Sequence, residues 1–463
     1  RMHRYRPAAG RAPPGDHDRG EYPDELRGPD FAPRLLERLH RRADGENPFH
    51  DLDMSDDDKN QNLELCLSLS YDDLRDDLQR RFRLTGVFAL DGTFDRAAAM
   101  AVWGDEDEDD ADDALNDLVR AGLLRVELGR YDRHGLLYAY ARALLRREGK
   151  LDDAQRRHFE HYVEEYGSRE ALELFDMRER VKQDSANMLA AINAGLAVDD
   201  WVERTISLLV SLDGGYMQFE DSLQTRRDLL LSALIAAERS ASIAGQASTL
   251  RALGNVAQME NEYGAARATY DRALPLYEQI GSRLGQANTL KALGDVALME
   301  NEYGAAQGYY DRALPLYEQV GDRLGQANTL KALGDVALQE NEYGAARGFY
   351  DRALPLYEQV GDRLGQANTL RALGDVARME NEHGAARGCY DRALPLYEQI
   401  GDLTGRLNTR YSLAQLETAL GNTPAACQHY RALFAIADAH PFFREHPVVR
   451  NWREEYAQLG CES

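Results

Sequence analysis

The sequence predicts an all-α fold: an α-solenoid in the C-terminal half, with a small helical domain carrying a short β-wing ahead of it. Two observations carry this. A 40-residue segment, GQASTLRALGNVAQMENEYGAARATYDRALPLYEQIGSRL at Gly245, recurs at Gly285, Gly325 and Gly365, and each copy holds two runs of helical apolar spacing separated by turn residues. Upstream, several helical runs are followed by two short β-like runs around Gly129.

Residues 1–30 are rich in Arg, Pro, Gly and Asp and poor in apolar side chains, so a disordered tail is expected. Residues 31–60 read as a linker with a short amphipathic helix around Phe31, Leu35, Leu36 and Leu39. Residues 61–148 read as a domain of their own. Helices are expected over Leu63–Leu74, Leu78–Phe88, Thr93–Trp103 with Thr93 as N-cap, and Asp112–Ala121 stopped by Gly122. Strands follow at Leu123–Leu128 and Arg130–Tyr131, then a helix over Leu136–Leu145. Helices followed by a β-wing make a winged-helix fold. The run DEDEDDADD, Asp105–Asp113, lacks the central Gly and terminal Glu of a calcium loop and reads as a solvated loop leading into the next helix.

Residues 149–244 read as a helical linker with degenerate repeats. His158 and His161, with Glu165, could share a helix face, but the HExxH spacing is missing and no metal site is expected. Residues 245–404 are four near-identical repeats, and copies two and three differ only at Met299/Gln339, Gln307/Arg347 and Tyr309/Phe349. In each unit helix A, as Gln286–Glu300, carries Leu290, Leu293 and Ala297; helix B carries Ala306, Tyr310, Ala313, Leu316, Tyr317 and Val320, and Gly321-Asp322 ends it. One such hairpin cannot bury its stripe alone, but stacked copies can. Pro275, Pro315, Pro355 and Pro395 inside helix B are expected to kink or bulge it. Residues 405–463 form a divergent repeat and a C-terminal cap, with Tyr411, Leu413, Leu416 and Tyr430 at core positions.

The repeats resemble the tetratricopeptide repeat in its 40-residue variant: Leu293-Gly294 matches the helix A "LG" pair, and Tyr303, Ala306, Tyr310 and Ala313 match the helix B positions. The predicted fold is thus a tetratricopeptide α-solenoid preceded by a small winged-helix domain. The resemblance implies a concave groove lined by helix A. There the sequence sets a polar ladder: Ser248/Asn288/Asn328/Asn368, Arg251/Lys291/Lys331/Arg371 and Asn255/Asp295/Asp335/Asp375. Lys291 and Asp295 are four apart, so an intrahelical ion pair worth a few tenths of a kcal/mol is expected. The same residues are the candidate partner site for a protein or peptide. Asp295 and its counterparts argue against a clamp for a C-terminal carboxylate.

The upstream blocks LSLSYDDLRDDLQRRFRLTGVF, DDALNDLVRAGLL and GRYDRHGLLYAYARALL resemble the winged-helix segment of bacterial NB-ARC/STAND nucleotide switches. In that family a Met-His-Asp motif holds bound ADP, and the corresponding residues are Arg133, His134 and Gly135. The resemblance makes His134 a candidate ADP phosphate contact, although Gly135 removes the motif's carboxylate. No GxxxxGK[ST] loop occurs in the 463 residues, and the chain starts at Arg1, so ATP or ADP would be held by an upstream domain. The chain itself is expected to carry no cofactor.

Composition narrows the function. Acids exceed bases 79 to 55, for a net charge of −24, and the helix DDADDALNDLVRAG that would read DNA is acidic, so direct nucleic-acid binding is not expected. No apolar run is long enough for a membrane span. Cys66, Cys389, Cys427 and Cys461 form no CxxC pair, so no disulfide framework is expected and a reducing cytoplasm fits. No catalytic constellation is present. The expected function is protein–protein interaction by the sensor and regulatory half of an NB-ARC/STAND-type signalling or transcriptional regulator, which as a full-length switch would form homo-oligomers. The alternative is a freestanding repeat scaffold with no nucleotide role.

Overall fold

A computed structural model describes residues 71–167, 177–213 and 223–461. The tail over 1–30, the linker helix, Cys66 and most of the expected helix Leu63–Leu74 lie outside the described residues. The chain divides into two units, one holding residues up to Glu165 and Asp176–Ala191, the other Tyr166–Phe175 and everything from Ile192.

In the first unit, α1 (Asp76–Leu84) runs into a 3-10 turn (Thr85–Val87), followed by α2 (Arg96–Trp103), α3 (Glu108–Arg120), β1 (Arg125–Glu127), β2 (Arg130–Asp132), α4 (Gly135–Arg147) and α5 (Leu151–Tyr166), whose last residue belongs to the second unit. The strands pair antiparallel with Val126 opposite Tyr131, giving the expected order of helices and then a small hairpin. The core gathers Phe82, Phe88, Phe94, Trp103, Leu115 and Leu118, all buried. Phe88 and Phe94 stack with centroids 4.1 Å apart.

Two expectations here need correction. The N-cap of α2 is Asp95, which accepts from the Ala98 N–H, while Thr93 instead accepts a hydrogen bond from the Arg130 Nε. An anionic cap placed directly before the first turn gains from the helix dipole, which a threonine two residues earlier cannot do. The acidic run is not a loop throughout: α3 starts at Glu108, capped by Asp107, so Glu108, Asp109 and Asp110 form its first turn. Carboxylates are favoured at that end of a helix. Asp105, ahead of the helix, accepts from Arg80 at 3.2 Å and Arg81 at 2.8 Å.

The second unit takes the end of α6 (Met177–Ala197), then α7 (Val202–Asp213) and α8 (Leu223–Arg239). Helix pairs follow: α9 (Ile243–Met259) with α10 (Tyr263–Gln279), α11 (Arg283–Met299) with α12 (Tyr303–Val320), α13 (Arg323–Gln339) with α14 (Tyr343–Val360), α15 (Arg363–Met379) with α16 (His383–Ile400), and α17 (Leu403–Ala419) with α18 (Thr423–Ala439). The chain closes with α19 (Pro441–Arg444) and α20 (Pro447–Gln458).

The punctuation repeats with the sequence. Helix A is capped by Ser282, Asp322, Asp362 or Asp402, whose side chain accepts from the glycine N–H three residues on. Its end turns through a left-handed asparagine, Asn301 at φ 61°, a residue whose short polar side chain tolerates that region. There the Glu302 N–H reaches back to the Ala297 carbonyl at 2.8 Å. Helix B ends at left-handed Gly321, and the Asp322 N–H bonds the Tyr317 carbonyl at 3.1 Å.

Packing crosses the repeat boundaries. Tyr310 and Ala306 of α12 share a cluster with Leu333 and Val336 of α13, and the same arrangement recurs for Tyr350 with Leu373 and Val376. Each helix pair therefore completes its core on the next one. Helix B runs through its proline without interruption, contrary to the expected bulge. Pro315 and Asp311, the residue whose carbonyl loses its donor, are both exposed, so water can serve that carbonyl.

At the C-terminal end α20 covers the last pair. Trp452 stacks on Tyr411 at 4.8 Å, and Glu455 accepts from Tyr411 at 3.0 Å and Tyr430 at 2.8 Å. Cys427 of α18 and Cys461 are joined by a disulfide, with Cα atoms 5.7 Å apart. Against the expectation of no disulfide framework, one bridge forms because the cap folds residues 34 apart in sequence onto one another, and the argument from cysteine spacing to a reducing compartment falls with it. Among the described residues, no helix is long and apolar enough to cross a membrane.

Candidate functional site

The candidate site is the ladder of polar side chains on the helix A row. Each rung is built by one helix A and held by two tyrosines of helix B. In the second repeat Lys291 Nζ lies 2.7 Å from Asp295 Oδ2, and Tyr310 donates to Asp295 Oδ1 at 2.8 Å. Tyr317 donates to Asn288 Oδ1 at 2.7 Å. The third repeat gives Lys331–Asp335 at 2.7 Å, Tyr350–Asp335 at 2.8 Å and Tyr357–Asn328 at 2.7 Å. The fourth gives Arg371–Asp375 at 3.1 Å, Tyr390–Asp375 at 2.7 Å and Tyr397–Asn368 at 2.7 Å. The intrahelical ion pair expected from the four-residue spacing is present in all three.

The tyrosine rings reach the ladder because glycine makes room for them. A Cβ on Gly294 would lie 2.5 Å from the Tyr310 ring, and one on Gly325 would lie 2.3 Å from the Tyr317 ring. Both rings are buried. Burial, with Asp295 beside it, pushes the Tyr310 hydroxyl above its ordinary range; Tyr350 is raised in the same way by burial and Asp335. These hydroxyls stay protonated and act as fixed donors. Reading the helix B tyrosines as packing alone misses this second role, and the signal for it was their spacing from the ladder: 15 residues from Asp and 29 from Asn.

The chemical consequence is a face that offers donors. Both oxygens of each ladder Asp are occupied within the rung. Asn288 and its counterparts use Oδ1 for tyrosine, which leaves the amide NH2 for outside acceptors. The Lys ammonium has donors beyond the one given to Asp. Such a face suits the carbonyl oxygens of an extended or helical segment.

The end rungs differ. In the first, Ser248 and Asn255 accept from Tyr277 at 3.2 Å and Tyr270 at 2.8 Å, and Asn255 leaves Arg251 without the i+4 carboxylate that its counterparts have. In the fifth, Tyr411 and Gln415 replace cation and acid, and Gln415 donates to Tyr411 at 2.6 Å.

His134 stands elsewhere, in the first unit. It is exposed and caps α4, its Nδ1 accepting from the Leu136 N–H at 3.3 Å. Its neighbour Arg133 is the buried one: it donates to the Phe88 carbonyl at 2.9 Å and lies 5.1 Å from the Tyr138 ring centroid. Burial lowers its guanidinium to about 10. His158 is buried against Phe88 and Tyr162, and burial, reinforced by His161, lowers it to about 3. A neutral imidazole packed among rings explains this residue. Among the described residues, no group of three His, Cys, Asp or Glu is placed to hold a metal ion.

Comparison with known proteins agrees with the repeat fold. Residues 245–319, 302–359 and 325–399 match the tetratricopeptide repeat model. No curated protein sequence matches the chain. Among solved structures, a STAND signal-transduction ATPase with a tetratricopeptide repeat sensor from Pyrococcus horikoshii superposes with a TM-score of 0.51 at 13% identity, over 94% of this chain and 65% of that one. The apo quorum sensor NprR from B. thuringiensis gives 0.43 at 14% identity over 88% and 99% of the two chains. BtubC from P. vanneervenii gives 0.43 at 19% identity over 49% and 92%. The fold is all-α, and its repeat segment is a tetratricopeptide α-solenoid, an architecture that serves protein–protein interaction.

Proposed function

We propose that this chain is the sensing half of a STAND-type regulator, and that its repeats capture a peptide or protein segment on the Asn–Lys–Asp ladder. The observation that carries the capture is the same rung, with the same internal ion pair and outward donors, on three consecutive repeats. A row of identical donors fits the repeating carbonyls of a backbone better than it fits a single small molecule. The STAND assignment is supported by the superposition over 94% of this chain and by the helix-then-hairpin order of the first unit. In this reading nucleotide is held by another domain, His134 is the phosphate contact offered to it, and the chain acts by binding rather than catalysis.

A freestanding scaffold is the second reading, favoured by Gly135 where the family's motif has a carboxylate. One experiment addresses the capture common to both. The full chain and the triple variant N288A/N328A/N368A are applied to a random peptide array. Removing the amides also takes the acceptors from Tyr317, Tyr357 and Tyr397, so a lower unfolding midpoint is expected. The proposal expects a family of related peptides bound by the parent and lost in the variant at a temperature where circular dichroism shows both folded. Equal binding by both would remove the ladder from the site.

A further inference from the structure

We propose that the first unit holds a second ligand site, a cationic pocket for a phosphomonoester. The pocket, about 250 Å³, lies where α1, the end of α4 and the start of α5 meet, and Arg80, Arg83, Lys150 and Arg157 line it with Glu148 and Asp153. Four cations against two carboxylates leave an excess of two positive charges, in a chain whose net charge is −24.

The cations are held in place without being used up. Arg83 is mostly buried, its Nε 3.0 Å from Glu148, which Lys150 shares at 3.4 Å. Arg80 donates to the Trp103 carbonyl at 2.8 Å and to Asp105 at 3.2 Å. Arg157 donates to the same carbonyl at 3.3 Å and has no carboxylate partner among the described residues. Asp153 pairs with Arg156 at 3.2 Å. Arg83 also donates from Nη1 to the Tyr71 hydroxyl. The three guanidinium groups and the ammonium line one cleft.

Asp105 offsets part of that excess at Arg80, and the number of cationic donors in the lining favours the ligand class. A carboxylate brings one negative charge, whereas a phosphomonoester brings about 1.5 to 2 at neutral pH and three acceptor oxygens. The volume exceeds that of a phosphate group, leaving room for part of the carbon chain that carries it. The shared chemistry is the phosphoryl group, carried by a small metabolite or by a modified side chain.

The test uses the full chain. Inorganic phosphate, glycerol 3-phosphate, a phosphoserine peptide and acetate are titrated at constant ionic strength by calorimetry. One saturable site is expected for the phosphorylated probes and none for acetate. The tighter of glycerol 3-phosphate and the peptide identifies the source. Arg157→Gln and the more exposed Lys150→Gln should each weaken glycerol 3-phosphate binding about tenfold or more, with unchanged thermal unfolding. Absence of saturable binding, equal binding of acetate, or parental affinity in both variants would overturn the proposal.

Discussion

Single hydroxyls and single hydrogens have outsized effects where a side chain serves two partners. Tyr350 packs between repeats and also donates to Asp335. Tyr350→Phe keeps the ring and removes one hydrogen bond, so a loss of about 1–2 kcal/mol is expected in urea unfolding. Gly334→Ala should cost more, because a Cβ there would sit 2.5 Å from the same ring and the ring has nowhere to go. A smaller loss for the glycine variant than for Tyr350→Phe would contradict this packing. His158 makes a pH prediction. Its folded value of about 3 lies below the unfolded value near 6.5, so between them the unfolded chain binds the proton and the native chain does not. Stability of the first unit is therefore full above pH 6.5 and declines as pH falls, by up to about 1.4 kcal/mol per pH unit for this group. His161, lowered by burial, adds in the same sense. Urea midpoints at pH 7.5 and 5 should diverge in the parent, and the gap should narrow in His158→Phe to what His161 leaves. Arg133 and His134 show the limit of sequence at this scale. Motif position singled out His134, yet burial fell on the arginine, because a flat guanidinium can lie against Phe94 and Tyr138 while the imidazole caps a helix.

Elements were legible wherever the signal was periodic. The 40-residue period, the two helices per unit and the glycine stops all follow from local rules, and the helices form where those rules place them. What lay beyond reach were contacts between residues with no periodic relation. The Cys427–Cys461 bridge depends on how α20 docks against α17 and α18, and no spacing rule encodes that docking. The clamps between repeats are a second case. Arg267 reaches Glu300 and Glu302 of the next repeat, both at 2.6 Å, Arg227 and Arg347 make equivalent contacts, and Arg387 reaches Glu417 instead. The second repeat carries Gln307 at this position, so Glu340 and Glu342 lack the clamp. Gln307→Arg should restore it and raise the unfolding midpoint by an amount equivalent to about 0.2–1 kcal/mol, the range for partly exposed pairs. The gain should shrink in 1 M salt. A salt-independent gain would point to packing instead of charge.

For the whole molecule, function follows from repetition. Near-identical repeats place the same donors at regular intervals, and the ladder changes at the ends, where Ser248 and Asn255, and Tyr411 and Gln415, stand at its positions. Under the proposed function, that layout suits a segment that is itself repetitive, such as a peptide backbone, and a mutation in one rung is expected to be masked by its neighbours. The candidate ladder was legible as a list of residues. Its polarity was legible only in part: the four-residue spacing gives the cation on each Asp, and only the fold shows the tyrosine on its other oxygen. The measurement that tests this most directly is photocrosslinking in cells from two positions on the same repeat. A benzophenone side chain replaces Asn328 on the ladder in one variant and Arg352, exposed on helix B, in the other. The account predicts a discrete crosslinked partner from position 328 and none from 352. Crosslinking from 352 alone, or the same product from both, would contradict it.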